Sequence, residues 1–409
     1  MNYASSRLDP VKPSASAAVS QAARAARARG EDVIDLGLGE PDFDTPEHII
    51  EAAYQAAKEG QTRYPPTEGT LALKSAVAAK FRRDNNLDYD LSQIMVSNGA
   101  KQVIFNALMA SLEPHDEVLL CAPYFGQYKD MALILGASPK TIPCSASDGF
   151  RLTPEALAAS ITNKTRWLIL NLPSNPAGAV FTREDLEAIG AVLERHPDVL
   201  ILSDEIYEHI LFDGREFLSF ASVCPQLKDR ILTVNGVSKA YAMTGWRVGY
   251  CGGPQPLIKS MTTVQSQISS GVCAIAQAAA VAALEGPQDD VKNFCKAFER
   301  RRNLIVERIA SIDGLTVDPP GGAFYAYIGC EEFIGATVVG STGDMADGTI
   351  IKDDVAFTQY LLSAAGIASV PGSAYDLSPF FRISTATSED VLSEAMDRLA
   401  ECTLRLKRN

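Results

Sequence analysis

Histidine is scarce: four occur in 409 residues, and none forms H-E-x-x-H, so a zinc-protease type of site has no support. The eight cysteines (Cys121, Cys144, Cys224, Cys251, Cys273, Cys295, Cys330 and Cys402) include no C-x-x-C pair and are spread from residue 121 onward. Zinc sites and disulfide frameworks cluster their cysteines more tightly, so free thiols in a reducing cytoplasm are expected. Nor is there any G-x-G-x-x-G, G-x-x-x-x-G-K-[ST] or G-x-S-x-G string. Dinucleotide, P-loop and serine-hydrolase readings therefore lose their main support. No stretch approaches the roughly 18 consecutive apolar residues of a membrane span. Residues 1–28, interrupted by Asp9, Pro10, Lys12 and Pro13, lack the apolar centre of a secretory signal. Asn163-Lys164-Thr165 matches a glycosylation sequon, but without such a signal it reads as chance. A basic surplus is missing too: 37 Lys and Arg face 50 Asp and Glu, a net charge of −13. Phosphate backbones would be repelled, so no nucleic-acid partner is expected. A small anionic substrate is still allowed, because a local basic pocket can sit inside an acidic protein.

What is present is a βα alternation. Residues 1–20 read as an irregular arm, 21–29 as an Ala/Arg-rich helix ended by Gly30, 33–36 as a short strand and 46–59 as a helix opened by proline. Short apolar runs at 94–96, 117–120, 167–170, 199–203, 231–234 and 248–251 suit buried parallel strands. Helical stretches at 101–110, 183–195 and 256–270 separate several of them. The expected fold is α/β: a large unit with a mainly parallel sheet covered by helices on both faces, its ligand at the carboxyl ends of the strands. After a charged helix over 288–311 the pattern turns to hairpin-like strands at 323–328 and 380–384 and a closing helix at 389–406. This implies a smaller α+β unit. The expected division is an arm and part of the small unit over 1–43, the large unit over 44–290 and the small unit over 291–409. Residues 335–351 are weakly patterned and read as a surface loop.

Five strings carry chemistry. Ser238-Lys239-Ala240-Tyr241-Ala242-Met243-Thr244-Gly245-Trp246-Arg247 follows the strand at 231–234 directly. A lysine just past a strand end stands at the cleft, where its free amine can condense with an aldehyde. Ser238 adds a hydroxyl, and Arg247 adds a planar fork suited to phosphate. A lone lysine would read as a surface residue; the ten-residue string does not. In Ser203-Asp204-Glu205-Ile206-Tyr207, Asp204 ends an apolar strand and would be costly to bury without a cation such as a protonated pyridine nitrogen. Read in isolation, Asp204 is a helix N-cap. Asn171-Leu172-Pro173-Ser174-Asn175-Pro176-Ala177-Gly178 makes a rigid loop that aims Asn175 at the cleft, or an ordinary turn; its Asn175-Pro176 bond is a candidate for cis. Ser97-Asn98-Gly99-Ala100-Lys101-Gln102 lies at a strand-to-helix junction, where free N–H groups and the helix dipole can seat a phosphate. In Phe381-Arg382-Ile383-Ser384, Arg382 interrupts an apolar strand and can take a carboxylate bidentately. By itself it reads as a surface ion-pairing arginine.

In their order and spacing these strings resemble the fold-type I pyridoxal-phosphate aminotransferases, most of all the class I bacterial aspartate aminotransferases. The resemblance runs from Lys12-Pro13-Ser14 through Gly39-Glu40-Pro41-Asp42-Phe43 to Arg382. It implies a large domain built on a seven-stranded-type sheet and a homodimer with shared active sites. It also implies pyridoxal 5′-phosphate as cofactor, and amino acids and 2-oxo acids as partners. Lys239 would carry the cofactor and shuttle a proton. Asp204 would pair with the ring nitrogen, and Tyr207 and Asn175 would reach the ring oxygen. Arg247, Ser238 and the backbone of Gly99, Ala100 and Lys101 would hold the phosphate. Phe125 would stack on the ring, and Tyr64 would reach the phosphate of the neighbouring subunit. Arg382, Gly39 and Asn175 would receive the substrate α-carboxylate, while Lys101, Ser14 and Ser16 would face the side chain of a dicarboxylic substrate.

The sequence departs from the family pattern in three places. Gly236 stands where relatives have a hydroxyl residue, Ala177 replaces a threonine, and Phe125 replaces a tryptophan or tyrosine. None removes a group the chemistry requires, but they loosen substrate identity. Aspartate with 2-oxoglutarate is the first expectation and an aromatic or prephenate exchange the second. A lyase or decarboxylase on the same fold is a further alternative, as is a non-catalytic cofactor-binding regulator. The regulator would need an added basic domain, which this acidic chain lacks.

Overall fold

The computed structural model describes residues 3–343 and 345–408. A helix over Ala15–Ala28 and a two-residue strand, β1 (Ile34–Asp35), open the fold. The expected arm over 1–20 is therefore only partly irregular: Ser6–Leu8 is a 3-10 turn and the helix starts at Ala15 rather than at 21. The reason is its alanine run, which loses little entropy in a helix, and a stripe of small residues, Ala23 and Ala26, that packs on Val33 and Ala368.

Seven strands build the large sheet: β2 (Ile94–Ser97), β3 (Glu117–Ala122), β4 (Ser138–Pro143), β5 (Thr165–Asn171), β6 (Leu200–Asp204), β7 (Ile231–Gly236) and β8 (Gly249–Gly252), ordered β2-β8-β7-β6-β5-β3-β4. Strands β3 to β7 pair in parallel. Strand β8 is antiparallel to both neighbours, which corrects its expected parallel sense. The link from β7 to β8 holds only the 3-10 turn Thr244–Trp246 and no crossover helix, so the chain folds straight back. Strand β4 gave no signal in the sequence. It is a half-exposed edge with Pro139 and Lys140 in it, the usual protection of an open sheet edge.

Successive residues of each buried strand feed opposite layers. Ile94, Leu119, Leu168 and Ile201 pack into one core, beneath helices that include Leu71–Asn85 and Ala274–Glu285. Met95, Val118, Trp167 and Leu202 pack into the other, against Ala100–Ser111 and Gln255–Ile268. With both faces covered, the strands read as continuous apolar runs.

Beyond residue 288 come the helix Asp289–Ala310 and strands β9 (Thr316–Val317), β10 (Tyr325–Gly329), β11 (Thr337–Val338), β12 (Ile367–Ala368), β13 (Val370–Pro371), β14 (Phe380–Ser384) and β15 (Leu406–Lys407). Four of them form an antiparallel sheet, β13-β14-β10-β9. Strand β1 joins this half by pairing with β12, so Ile34 and Leu36 share a core with Ile328, Phe357 and Phe381. The segment 335–351 is not simply a surface loop: β11 pairs with β15, and Ala336, Val338 and Ile351 are buried. No helix among the described residues is long and apolar enough to cross a membrane.

Candidate active site

The carboxyl ends of β5, β6 and β7 open into a cavity of about 420 Å³ whose far wall comes from the N-terminal segment and β14. Asp204 ends β6 beside Asn171, its register partner on β5. No helix follows, only a turn over 206–209, so Asp204 is not a helix cap; its Oδ1 instead accepts from Ile206 N at 3.3 Å. Its Oδ2 accepts from Tyr128 Oη at 2.5 Å. Burial pushes this carboxyl up to about 6, with the two hydrogen bonds opposing. The Lys239 charge opposes the shift as well, but the direct bonds to this acid are all from neutral donors, so a protonated ring nitrogen would fit beside it.

Lys239 lies just beyond β7 and donates from Nζ to the Gly39 carbonyl at 2.6 Å. Burial brings its amine down to about 8; Glu40 opposes that shift, and the Arg382 and Arg247 charges add to it. A lysine so lowered is a usable nucleophile and base near neutral pH. Tyr207 shares a hydrogen bond of 2.9 Å with Tyr325, and both rings are buried. The Asn175-Pro176 bond is cis, and Asn175 is buried against the cavity.

At the opposite rim, Gly99 precedes the helix Ala100–Ser111 with φ of 84° and ψ of 159°, a region open in practice only to glycine. A Cβ there would stand 2.3 Å from Arg247 Nη2. The absent side chain thus lets the arginine lie over a helix N-terminus. Arg247 Nη1 also donates to the Thr244 carbonyl at 3.0 Å. With Ser238 on the wall, the arrangement can seat an anion such as a phosphate.

Arg382, expected in isolation to be a surface residue, is 2 % exposed. Its Nη1 donates to Asn175 Oδ1 at 3.1 Å and its Nη2 to the Gly37 carbonyl at 2.5 Å, while Nε has no partner. Its guanidinium lies over the Tyr325 ring, 4.4 Å from the centroid. A buried cation whose partners are neutral is set to receive a carboxylate.

Ser14, Ser16, Lys101 and Phe125 also line the cavity. Ser14 Oγ accepts from Gln127 Nε2 at 2.9 Å, and the Lys101 ammonium stands 5.5 Å from the Phe125 centroid. Burial lowers the Lys101 amine, and Arg247 lowers it further. Of the expected site residues, Gly99 is not itself in the lining but lies against Arg247, which is, and Tyr64 stands apart: it is 96 % exposed and lines no part of this cavity.

Residues 31–399 match the family described as aminotransferase class I and II. The chain belongs to that family. An aspartate aminotransferase of Rhizobium meliloti strain 1021 is 50% identical over 401 residues, covering 98% of this chain and 96% of the relative. An aspartate/prephenate aminotransferase of Cereibacter sphaeroides is 48% identical over 399 residues, with 98% of each chain covered. The crystal structure of a Rhizobium meliloti aspartate aminotransferase superposes with a TM-score of 0.95 at 49% identity, covering all of both chains.

The sequence did not announce every group in the site of this aminotransferase. Tyr128, Tyr325, Gln127, Thr244 and Glu40 line the cavity as well. Tyr128 bonds Asp204 and meets the Phe125 ring edge-on at 5.5 Å. Thr244 donates to Glu40. The Tyr128–Asp204 and Thr244–Glu40 bonds join segments far apart in the chain, which no local pattern spans.

Proposed function

We propose that this aminotransferase exchanges amino groups between L-aspartate and 2-oxoglutarate by a ping-pong cycle, with pyridoxal 5′-phosphate held on Lys239. The observation that carries this reading is the convergence of three groups in one cavity: the lowered amine of Lys239, the buried carboxyl of Asp204, whose hydrogen bonds come from neutral donors, and the buried guanidinium of Arg382, whose acceptors are neutral. The cradle at Gly99, Ala100 and Lys101, with Ser238 and Arg247, suits the phosphate. Phe125 suits the ring face. When bound, the cofactor's protonated ring draws electrons from the substrate α-carbon and makes its proton acidic. Asp204 would keep the proton on the ring nitrogen, and Tyr207 and Asn175 would donate to the ring oxygen. Arg382, Asn175 and Gly39 would hold the α-carboxylate, and Lys239 Nζ, once the substrate amine has taken its place on the cofactor, would accept the α-proton and return it. Lys101, Ser14 and Ser16 receive the second carboxylate. The working form is a homodimer in which Tyr64 reaches the partner's phosphate, divided into units near 1–43, 44–290 and 291–409. A prephenate-type exchange is the second reading, favoured by a relative that bears both substrate names.

The test is an absorbance titration of the cofactor-loaded protein. L-Aspartate should convert the bound cofactor to its amine form, and 2-oxoglutarate should restore it. Conversion by L-phenylalanine alone would remove the role of Lys101, Ser14 and Ser16. Lys239→Ala should abolish multiple turnover, and retained turnover would defeat the assignment of Lys239.

A further inference from the structure

Outside the cavity, a cluster of buried and half-buried ionisable groups lies at the turn that carries Tyr207, just after Asp204. Lys80, on the helix Leu71–Asn85, is fully buried. Its ammonium pairs with the Glu208 carboxylate and donates to Asn85 Oδ1 at 2.6 Å. Asn85 Nδ2 in turn donates to Glu208 Oε2 at 2.6 Å. His209 Nε2 stands 3.2 Å from Glu208 Oε1 and 3.8 Å from Asp84 Oδ2. Burial alone would raise the Glu208 carboxyl, but Lys80 and His209 hold it well below the usual range. Asp84, Glu208 and His209 are close enough together to suggest a metal site, yet the Lys80 ammonium already supplies the positive charge among them.

A buried ion pair is a poor stabiliser, because an apolar pair of similar volume often serves as well. Its presence calls for another advantage, and the local backbone supplies one. Sheet pairing ends at Asp204, and residues 206–209 form only a turn. Along this string the side chains part to two sides. Asp204 and Tyr207 line the cavity. Glu205 and Glu208 point behind it, Glu205 accepting from Ser203 Oγ at 2.7 Å, Ser219 Oγ at 2.8 Å and Phe220 N at 3.1 Å. The turn is therefore gripped from behind by side chains.

We propose that Lys80, Asn85 and Glu208 are positioning residues: their buried ion pair pins the turn and sets where the Asp204 carboxylate and the Tyr207 hydroxyl stand. This rests on the roles given to those two groups under the proposed function. None of the three lines the cavity, so they act only through the groups they hold.

The experiment compares Lys80→Met, Glu208→Gln and the double variant Lys80→Met/Glu208→Gln in the full chain. Either single change strands one group of a buried pair and should lower the melting temperature. The double change removes both charges, keeps the side-chain volumes and the amide contact to Asn85, and should restore melting. Three readouts follow for the double variant: the Kd for pyridoxal phosphate, the absorbance maximum of the bound cofactor, and kcat separately from KM for L-aspartate. The proposal expects restored melting together with a Kd raised and a kcat lowered by about tenfold or more, since small misplacements are costly in a reacting site. KM should change little and the absorbance maximum should shift. A double variant that melts, binds cofactor and turns over like the unaltered protein would overturn the proposal, leaving the cluster a plain structural ion pair. A double variant that fails to fold would overturn it too, by making the cluster a general stabiliser. An unaltered protein that binds no pyridoxal phosphate would instead sink the proposed function itself, which separates the two failures.

Discussion

The proposed chemistry rests on a few side chains held away from their ordinary ionisation. Lys239 is the clearest. Its amine comes down to about 8 because burial disfavours the ammonium, so it is cationic below that pH and nucleophilic above it. Capture of pyridoxal phosphate by the cofactor-free chain should therefore speed up about tenfold per pH unit below pH 8 and level off above it. Stopped-flow absorbance across pH 6 to 10 reads this out, and a rate that keeps climbing to pH 10 would mark an ordinary lysine. Tyr128 supports a second prediction. Its hydroxyl gives Asp204 a hydrogen bond of 2.5 Å that favours the ionised carboxylate. Tyr128→Phe keeps the ring against Phe125 but removes that bond. The expected result is intact folding, KM for aspartate nearly unchanged and kcat down about tenfold, the scale of one charge-assisted hydrogen bond. A kcat within twofold of the unaltered enzyme would take this role from Tyr128.

Among elements, what the sequence disclosed was whatever is contiguous. Asp204 and Tyr207, Ser238, Lys239 and Arg247, and Gly99 to Lys101 sit in short strings at strand ends, where a break from apolar to polar marks the rim of a parallel sheet. What escaped was what needs partners. Strand β4 is a half-exposed edge without an apolar run, and the part of the helix Ala15–Ala28 ahead of the expected start at 21 is held by Val19, which packs against Ala23, Ala26, Val33 and Ala368. Tyr128 meets Asp204 across 76 positions and Tyr325 meets Tyr207 across 118, distances that no local pattern spans. Strand β8 turned out antiparallel because only a 3-10 turn links it to β7. The glycine before the helix Ala100–Ser111 belongs to the legible group and can be tested. Gly99→Ala would add a Cβ 2.3 Å from Arg247 Nη2 in a backbone region with φ of 84°. The arginine end can swing away, so the chain should still fold, at a backbone cost of about 1–3 kcal/mol. The phosphate seat should suffer more: cofactor affinity should fall while the helix remains, as equilibrium titration and circular dichroism would record. Unchanged affinity would argue that no phosphate rests at that helix end.

At the scale of the whole molecule, one assigned residue makes no sense within a single chain. Tyr64 is 96 % exposed and absent from the cavity wall, yet the family resemblance gives it a phosphate to hold. Both hold at once if a second copy brings its Tyr64 to this chain's site. Other exposed apolar side chains in the same half of the chain, among them Tyr54, Leu71 and Met109, also suit a covered face. The proposed homodimer then predicts complementation. Tyr64→Ala alone should weaken cofactor binding, and Lys239→Ala alone should be inactive. Mixed in one dimer, the two variants distribute their defects unevenly. One site receives both the missing lysine and the missing tyrosine. The other pairs an intact Lys239 with the intact Tyr64 of its partner. A refolded mixture, purified as the hybrid through two different affinity tags, should recover one unimpaired site per dimer, with cofactor affinity at that site equal to the unaltered protein's. A hybrid whose surviving site binds cofactor as weakly as Tyr64→Ala would place Tyr64 in its own chain's site and remove the shared-site reading.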